Sequence, residues 1–219
     1  IPPDESGADP VLAALGAQIA AARHMRWVGY LSSTGVYGDT GGAWVDEATP
    51  PAPATERGRA RLAAETAWLA TGLPVHIFRL AGIYGPGRTP FARLRAGTAQ
   101  RIVKPGQVFN RAHVDDIAQV LAASIARPDP GAIYNVADDL PAPPQDVLAH
   151  AASLIGAPLP PEVPLEQAGL GAMARGFYAE SKRVRNARLK HDLGVTLAYP
   201  TYREGLAAAL AAEGPAARP

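Results

Sequence analysis

A strand-like run, an alanine-rich helical stretch and a second strand-like run follow one another between Arg26 and Leu80, and few folds accommodate that order. Arg26 to Ser33 reads Arg-Trp-Val-Gly-Tyr-Leu-Ser-Ser, a β-prone run with no exposed face, as expected of a strand buried on both sides of a parallel sheet. From about Thr55 to Thr71 alanine dominates, Leu62, Glu65 and Leu69 recur at helical spacing, and Gly72 supplies a C-terminal stop. Pro74 then opens Val75-His76-Ile77-Phe78-Arg79-Leu80, β-branched and aromatic, which runs into a sharp turn from Ala81 to Gly87. A helix is the economical way to return a chain for the next parallel strand, so this order predicts parallel pairing with right-handed crossovers. The expected class is α/β, a doubly wound parallel sheet.

The flanking segments extend the pattern. Val11, Leu12, Leu15 and Ile19 predict a helix ending at Arg23, and Val114, Ile117, Ala118, Leu121 and Ile125 predict another, with Asp115 and Asp116 where the helix dipole favours negative charge. Between Gly38 and Pro53 lies a glycine- and proline-bearing loop too long for a mere connection, expected to arch over a site. Ile133 to Val136 predicts a last short strand and Asp146 to Ile155 a helix before Gly156. Proline is so dense from Ala157 to Pro164 that no regular element is expected there. A helix from Val184 to Leu193, stopped by Gly194, and a terminal helix from Tyr202 to Ala212 precede a Pro-Ala-rich tail expected to fray. The expected organisation is a main domain over residues 1–156 and a small lobe over residues 157–219, its terminal helix packing back on the domain.

Composition narrows the function. With 219 residues, 47% apolar and 19% charged, the chain can bury one substantial core. The net charge is +1 and the basic residues are spread along the chain, which argues against a nucleic-acid partner. Without cysteine there are no disulfides, no thiolate chemistry and no cysteine-based metal site, and a reducing cytoplasm is the expected compartment. No stretch approaches the roughly 20 apolar residues that span a bilayer, and the opening residues carry Asp4 and Glu5 rather than a basic, apolar leader, so no membrane association is expected. Asp115 and Asp116 are read as helix-start residues, and no metal is expected.

Several local patterns coincide in order. Tyr30-Leu31-Ser32-Ser33-Thr34-Gly35-Val36-Tyr37-Gly38 looks like a strand ending in a catalytic hydroxyl and a Val-Tyr-Gly turn. Arg57 to Glu65 follows as a helix, Arg79 to Gly87 as a strand with a Tyr-Gly-Pro turn, and His113-Val114-Asp115-Asp116 as a later helix start. Leu193-Gly194, Pro200 and Gly205-Leu206 close the series. From Ala8 to about Leu210 the chain resembles the extended and atypical short-chain dehydrogenase/reductases, the sugar-nucleotide epimerases and dehydratases. The resemblance implies a Rossmann-like fold, NAD or NADP as cofactor with NADP the favoured of the two, a small-molecule substrate, and a homodimer formed through a two-helix face. It implies Ser33 as the catalytic hydroxyl, with Arg57, Arg61 and Asp9 in the other catalytic positions. Ser32, Ser33, Arg61, Ala81, Gly82, Ile83 and Tyr84 would surround the cofactor, and Thr34, Tyr37, Tyr84 and Arg111 the substrate.

Two departures qualify the likeness. The family cradles its pyrophosphate with a glycine-rich turn after the first strand, and no such turn occurs here, so the chain is expected to be a fragment lacking roughly the first βαβαβ half. A cofactor site without those glycines is the alternative. The family's catalytic tyrosine and lysine fall on Arg57 and Arg61, and arginine, with a pKa above roughly 12, has no accessible neutral form and is no general base near neutrality. An NAD(P)-dependent oxidoreductase, epimerase or dehydratase with a non-standard site therefore stands beside a non-catalytic cofactor-binding or regulatory protein, or an inactive fragment. Plain alternatives accompany each residue. Ser33 suits a turn serine, Asp9 a helix cap, Tyr37 and Tyr84 packing, His113 a loop-to-helix junction, and Arg57 and Arg61 with nearby Arg111 either a solvated basic face or an anion site.

Overall fold

In the computed structural model the elements run α1 (Pro10–Ala20), β1 (Val28–Ser33), a 3-10 turn (Thr34–Tyr37), β2 (Trp44–Val45), α2 (Glu56–Leu69), β3 (Val75–Leu80), β4 (Gly82–Tyr84) and α3 (Phe91–Arg95). They continue through β5 (Arg101–Val103), β6 (Arg111–His113), α4 (Val114–Ala126), β7 (Ile133–Val136), α5 (Pro144–Leu154), β8 (Glu162–Pro164), α6 (Ala172–Ala179), β9 (Arg183–Val184), α7 (Ala187–Leu193) and α8 (Tyr202–Ala212). The structure describes residue 3, residues 8–22 and residues 24–213; the expected helix end at Arg23 and the expected fraying tail lie outside them.

The main sheet has the order β1-β3-β7, all parallel. Ser33 stands beside Leu80 and Leu80 beside Val136, so the carboxyl ends of the three strands form one rim. Central β3 is buried along its whole length, as a near-continuous apolar run in a parallel sheet should be. The expectation of two-sided burial fails for β1. Tyr30 and Ser32 are buried, but Leu31 on the opposite face is 44% exposed, because β1 is the edge strand among the described residues and that face has no cover there.

Phe78 and Leu80 of β3, Tyr134 and Val136 of β7, and Ile117 and Val120 of α4 share one core with Val184, Leu189, Leu193, Val195 and Leu197. The core thus does not divide at residue 156. A second cluster joins Tyr84, Phe91, Leu148, Tyr202 and Leu206, seating α8 over β4 and α5. Asp116 ties this region together, accepting the Ala198 and Tyr199 N–H groups at 2.7 and 3.2 Å.

Other boundaries shift for local reasons. Arg183 and Val184 pair with Trp44 and Val45 as β9 against β2, so the helix expected from Val184 begins only at Ala187. The proline-dense stretch still yields β8, paired with β5 alone, because proline is tolerated where a strand sits at an edge. The long loop after Gly38 is held by the segment before β9: Asp39 accepts the Ser181 N–H at 2.8 Å, and the Thr40 and Gly42 N–H groups donate to the Ser181 carbonyl at 3.1 and 2.8 Å. Gly38 itself has φ 69°, and a Cβ there would fall 2.0 Å from the Ala52 carbonyl oxygen, so only glycine makes this turn. Among the described residues no helix is long and apolar enough to cross a membrane.

Candidate active site

Gly58 sets the approach of α2 to the rim. A Cβ there would lie 3.0 Å from the Gly35 carbonyl oxygen and 2.9 Å from Pro53 Cβ, so its absence lets the first turn of α2 press against the 3-10 turn. Ser33 precedes that turn and its Oγ accepts the Gly35 N–H at 3.1 Å, which leaves the hydroxyl hydrogen available to an outside acceptor. Thr34, half-buried, is next to it.

Arg57, Arg61 and Glu65 recur every four residues and share one face of α2. Arg57 is exposed beside the glycine contact. Arg61 Nη1 donates to the Tyr30 hydroxyl at 3.1 Å and to the Leu31 carbonyl at 3.2 Å, two residues, or about 7 Å of strand, before Ser33. Burial pushes the Tyr30 phenol up, with Arg61 pulling it the other way. After the neighbouring strand Ala81 is buried, Ile83 half-buried and Gly82 exposed, two residues past the Leu80 that pairs with Ser33. Ser33, Thr34 and Gly82 therefore stand at the carboxyl ends of β1 and β3 and Arg57 on the first turn of α2, while Arg61 is anchored below the rim at Tyr30 and Leu31.

Four candidates turn away from it. Ser32 points to the opposite face from Ser33, as alternation in a strand demands, and its hydroxyl donates to buried Glu65 at 2.5 Å. Tyr37 is 2% exposed and its hydroxyl donates to Asn135 Oδ1 at 2.8 Å, so it is a core residue rather than a substrate contact. Tyr84 packs its ring on Gly205 and edge-on to His113, and burial raises its phenol well above the usual range, so it is neither a surface contact nor a ready acid. Arg111 sits beside Gly82 in the β4–β6 pairing, but its guanidinium is engaged by the Phe109 and Ala142 carbonyls, to which it donates at 2.9 and 3.3 Å. Asp9 caps α1, its Oδ1 accepting from Val11 and Leu12 at 3.0 and 2.9 Å. His113 is 1% exposed and caps α4 through Nδ1, while burial depresses its pKa.

Sequence reasoning passed over two buried groups. Arg79, in the middle of an all-buried strand, was the available sign, since a charge there demands a counter-ion, and that partner is Glu65 at 2.8 Å. The other is Asp138, just past the end of β7. Its Oδ1 accepts the Leu140 N–H at 3.2 Å, whereas Oδ2 is buried and has no hydrogen-bond partner. Burial pushes this carboxyl up to about 7, against the pull of the Leu140 N–H and Arg111. The folded chain then holds a proton that the unfolded chain releases, so stability falls as pH rises from the ordinary value of 3.8 towards about 7. Asp138→Asn keeps the acceptor and abolishes the charge. Denaturant melts at pH 5 and pH 8 are expected to show the wild type losing stability across that interval and the variant losing much less; equal slopes would refute the assignment.

Residues 11–137 match the model of the NAD dependent epimerase/dehydratase family. The chain is 39% identical over 109 residues to protein YeeZ of Escherichia coli K12, covering 49% of this chain and 38% of that protein. It is 31% identical over 173 residues to the 3-diazoavenalumate denitrifying reductase of a Streptomyces species, covering 74% of this chain and 55% of the reductase. A conserved protein of unknown function from Silicibacter pomeroyi superposes with a TM-score of 0.94 at 65% identity, over 97% of this chain and 76% of that one. The fold is shared with RMD of Pseudomonas aeruginosa, solved with NADPH, at a TM-score of 0.69 and 20% identity over 90% of this chain and 69% of that one. The chain thus spans well under two thirds of the length of these two curated relatives.

Proposed function

The chain belongs to the NAD dependent epimerase/dehydratase family, and on that premise we propose that it is the catalytic-rim portion of an NAD(P)-dependent oxidoreductase, epimerase or dehydratase acting on a small molecule of the sugar-nucleotide class. What supports this reading is the place of Ser33 and Gly82 at the carboxyl ends of β1 and β3, where doubly wound folds place their ligands, with Arg61 anchored at Leu31 two residues before Ser33. The residues fit the reactive end of a dinucleotide. Gly82 offers exposed backbone with no side chain in the way, and Arg61 makes its hydrogen bonds through Nη1 alone, leaving Nη2 and Nε as donors for a ribose hydroxyl. A glycine-rich pyrophosphate cradle is not among the described residues. Bound there, the nicotinamide supplies hydride exchange. Ser33 donates its hydroxyl hydrogen to the substrate oxygen and orients it; Arg57, always cationic, steadies negative charge there rather than moving a proton.

Full-length protein titrated with NADPH and with NADH is expected to quench the cofactor or tryptophan fluorescence, and no binding of either at millimolar concentration overturns the reading. The replacement of tyrosine and lysine by Arg57 and Arg61 favours one second reading, a cofactor-binding protein without turnover. Under it Arg57→Tyr with Arg61→Lys creates no more than the wild type shows. Wild-type turnover that falls at least about a hundredfold in Ser33→Ala decides for the enzyme, since positioned acid–base groups contribute about 10²–10⁴.

A further inference from the structure

Below the rim, Glu65 is 2% exposed and gathers three donors. Ser32 of β1 donates its hydroxyl to Oε1 at 2.5 Å, and Arg79 of β3 donates through Nε at 3.2 Å to Oε1 and through Nη2 at 2.8 Å to Oε2. The guanidinium carbon of Arg79 lies 4.8 Å from the ring centroid of Tyr37, whose hydroxyl bonds Asn135; the Asn135 N–H in turn donates to Glu47 at 2.8 Å. One carboxylate on α2 thus engages two strands directly and, through Arg79, the turn that follows Ser33. A buried ion pair is a weak source of stability, because desolvation of both charges offsets most of their attraction, but a turn of the helix that broke it would leave buried charges unpaired and is opposed for that reason. Glu65 is four residues past Arg61 on the same face, so a rotation of α2 that broke the Glu65 contacts would carry Arg61 off the Leu31 carbonyl as well.

We propose that Glu65 is a positioning residue: through Ser32 and Arg79 it fixes the rotation of α2, and so holds Arg61 on Tyr30 and Leu31 with Nη2 and Nε left for the cofactor ribose. The proposal rests on the cofactor-binding reading above. Its test compares NADPH affinity of the full-length wild type with Arg61→Ala, with Ser32→Ala/Glu65→Leu/Arg79→Met, which removes the polar set together and leaves no unpaired buried charge, and with the combination of all four changes. Arg61→Ala is expected to weaken NADPH about tenfold, the loss of roughly one charge-assisted hydrogen bond. The triple variant should match it while still melting cooperatively, and the quadruple variant should lose nothing more, because the triple acts through Arg61. A role confined to structure would leave affinity unchanged or make the losses add, and either result overturns the proposal. A triple variant that does not fold is replaced by Ser32→Ala, which frees one side of Glu65 and is expected to cost part of that tenfold in the wild type and nothing in Arg61→Ala; an unchanged affinity, or an equal loss in both backgrounds, overturns it too. Absence of NADPH binding by the wild type defeats the cofactor reading itself, whereas binding that depends on Arg61 but ignores the buried set defeats this proposal alone.

Discussion

Glu65→Leu, with Arg79 left in place, is expected to lower the free energy of unfolding by about 3–5 kcal/mol, the largest loss of any single change considered. Both side chains are 3% exposed and the pair is closed at 2.8 Å, so the variant strands a guanidinium between β3 and α2 with no carboxylate in reach. Ser32 loses its acceptor at the same stroke. Replacing both charged partners by apolar residues of similar volume should recover most of that loss, since the penalty belongs to the unpaired charge rather than to the missing pair. Urea unfolding of the single and paired variants separates the two. A single variant within about 1 kcal/mol of the wild type would mean that Arg79 finds another partner or that water reaches it.

Gly205→Ala is the second large effect, and its sign opposes the usual rule. In a helix interior this change normally stabilises by about 0.5–1 kcal/mol, because glycine has the larger conformational freedom to lose. Here a Cβ would lie 2.0 Å from Tyr84 Oη, 2.6 Å from Cζ and 2.7 Å from Cε2. Tyr84 is 7% exposed, held between α8 and the T-shaped contact with His113 at 5.2 Å, so the ring cannot swing clear without moving β4. Overpacking of this kind costs about 1–3 kcal/mol and should prevail. Because β4 begins at Gly82, the same variant is expected to weaken NADPH binding without touching the rim directly. Tyr84→Phe removes the closest atom and should relieve part of the penalty; thermal melts of the two singles and the double check it, and strictly additive losses, or a Gly205→Ala single more stable than the wild type, would contradict the packing account.

Much of this fold can be read from the sequence where one physical signal dominates. Val75–Leu80 and Tyr202–Ala212 fall where their composition and caps place them, the latter with the Thr201–Glu204 capping box. The three-residue strands around Ile83, Ile102 and Ala112 carry too few residues for a period to show, and they exist because the chain brings β6 against β4 and β8 against β5. Edge position hid the exposure of Leu31, since an apolar run reads alike whether or not a neighbour covers it. That Ser33 ends β1 and that Arg61 shares a face of α2 with Arg57 can be read in advance, because a strand end and a helix face are local features. Ser32, Tyr37, Tyr84 and Arg111 were not separable from them, for their direction depends on Glu65, Asn135, Gly205 and Ala142, each contributed by a distant part of the chain.

In the function proposed here Ser33, Arg61 and Gly82 serve a single ligand at the ends of β1 and β3. A crystal structure of the full-length protein soaked with NADPH tests this directly. The nicotinamide ribose is expected within hydrogen-bond distance of Arg61, its ring over the Gly82 backbone, and Ser33 Oγ open to the same space. A dinucleotide seated anywhere else, or one that leaves Arg61 on Tyr30 and Leu31 with no contact to it, would contradict the assignment.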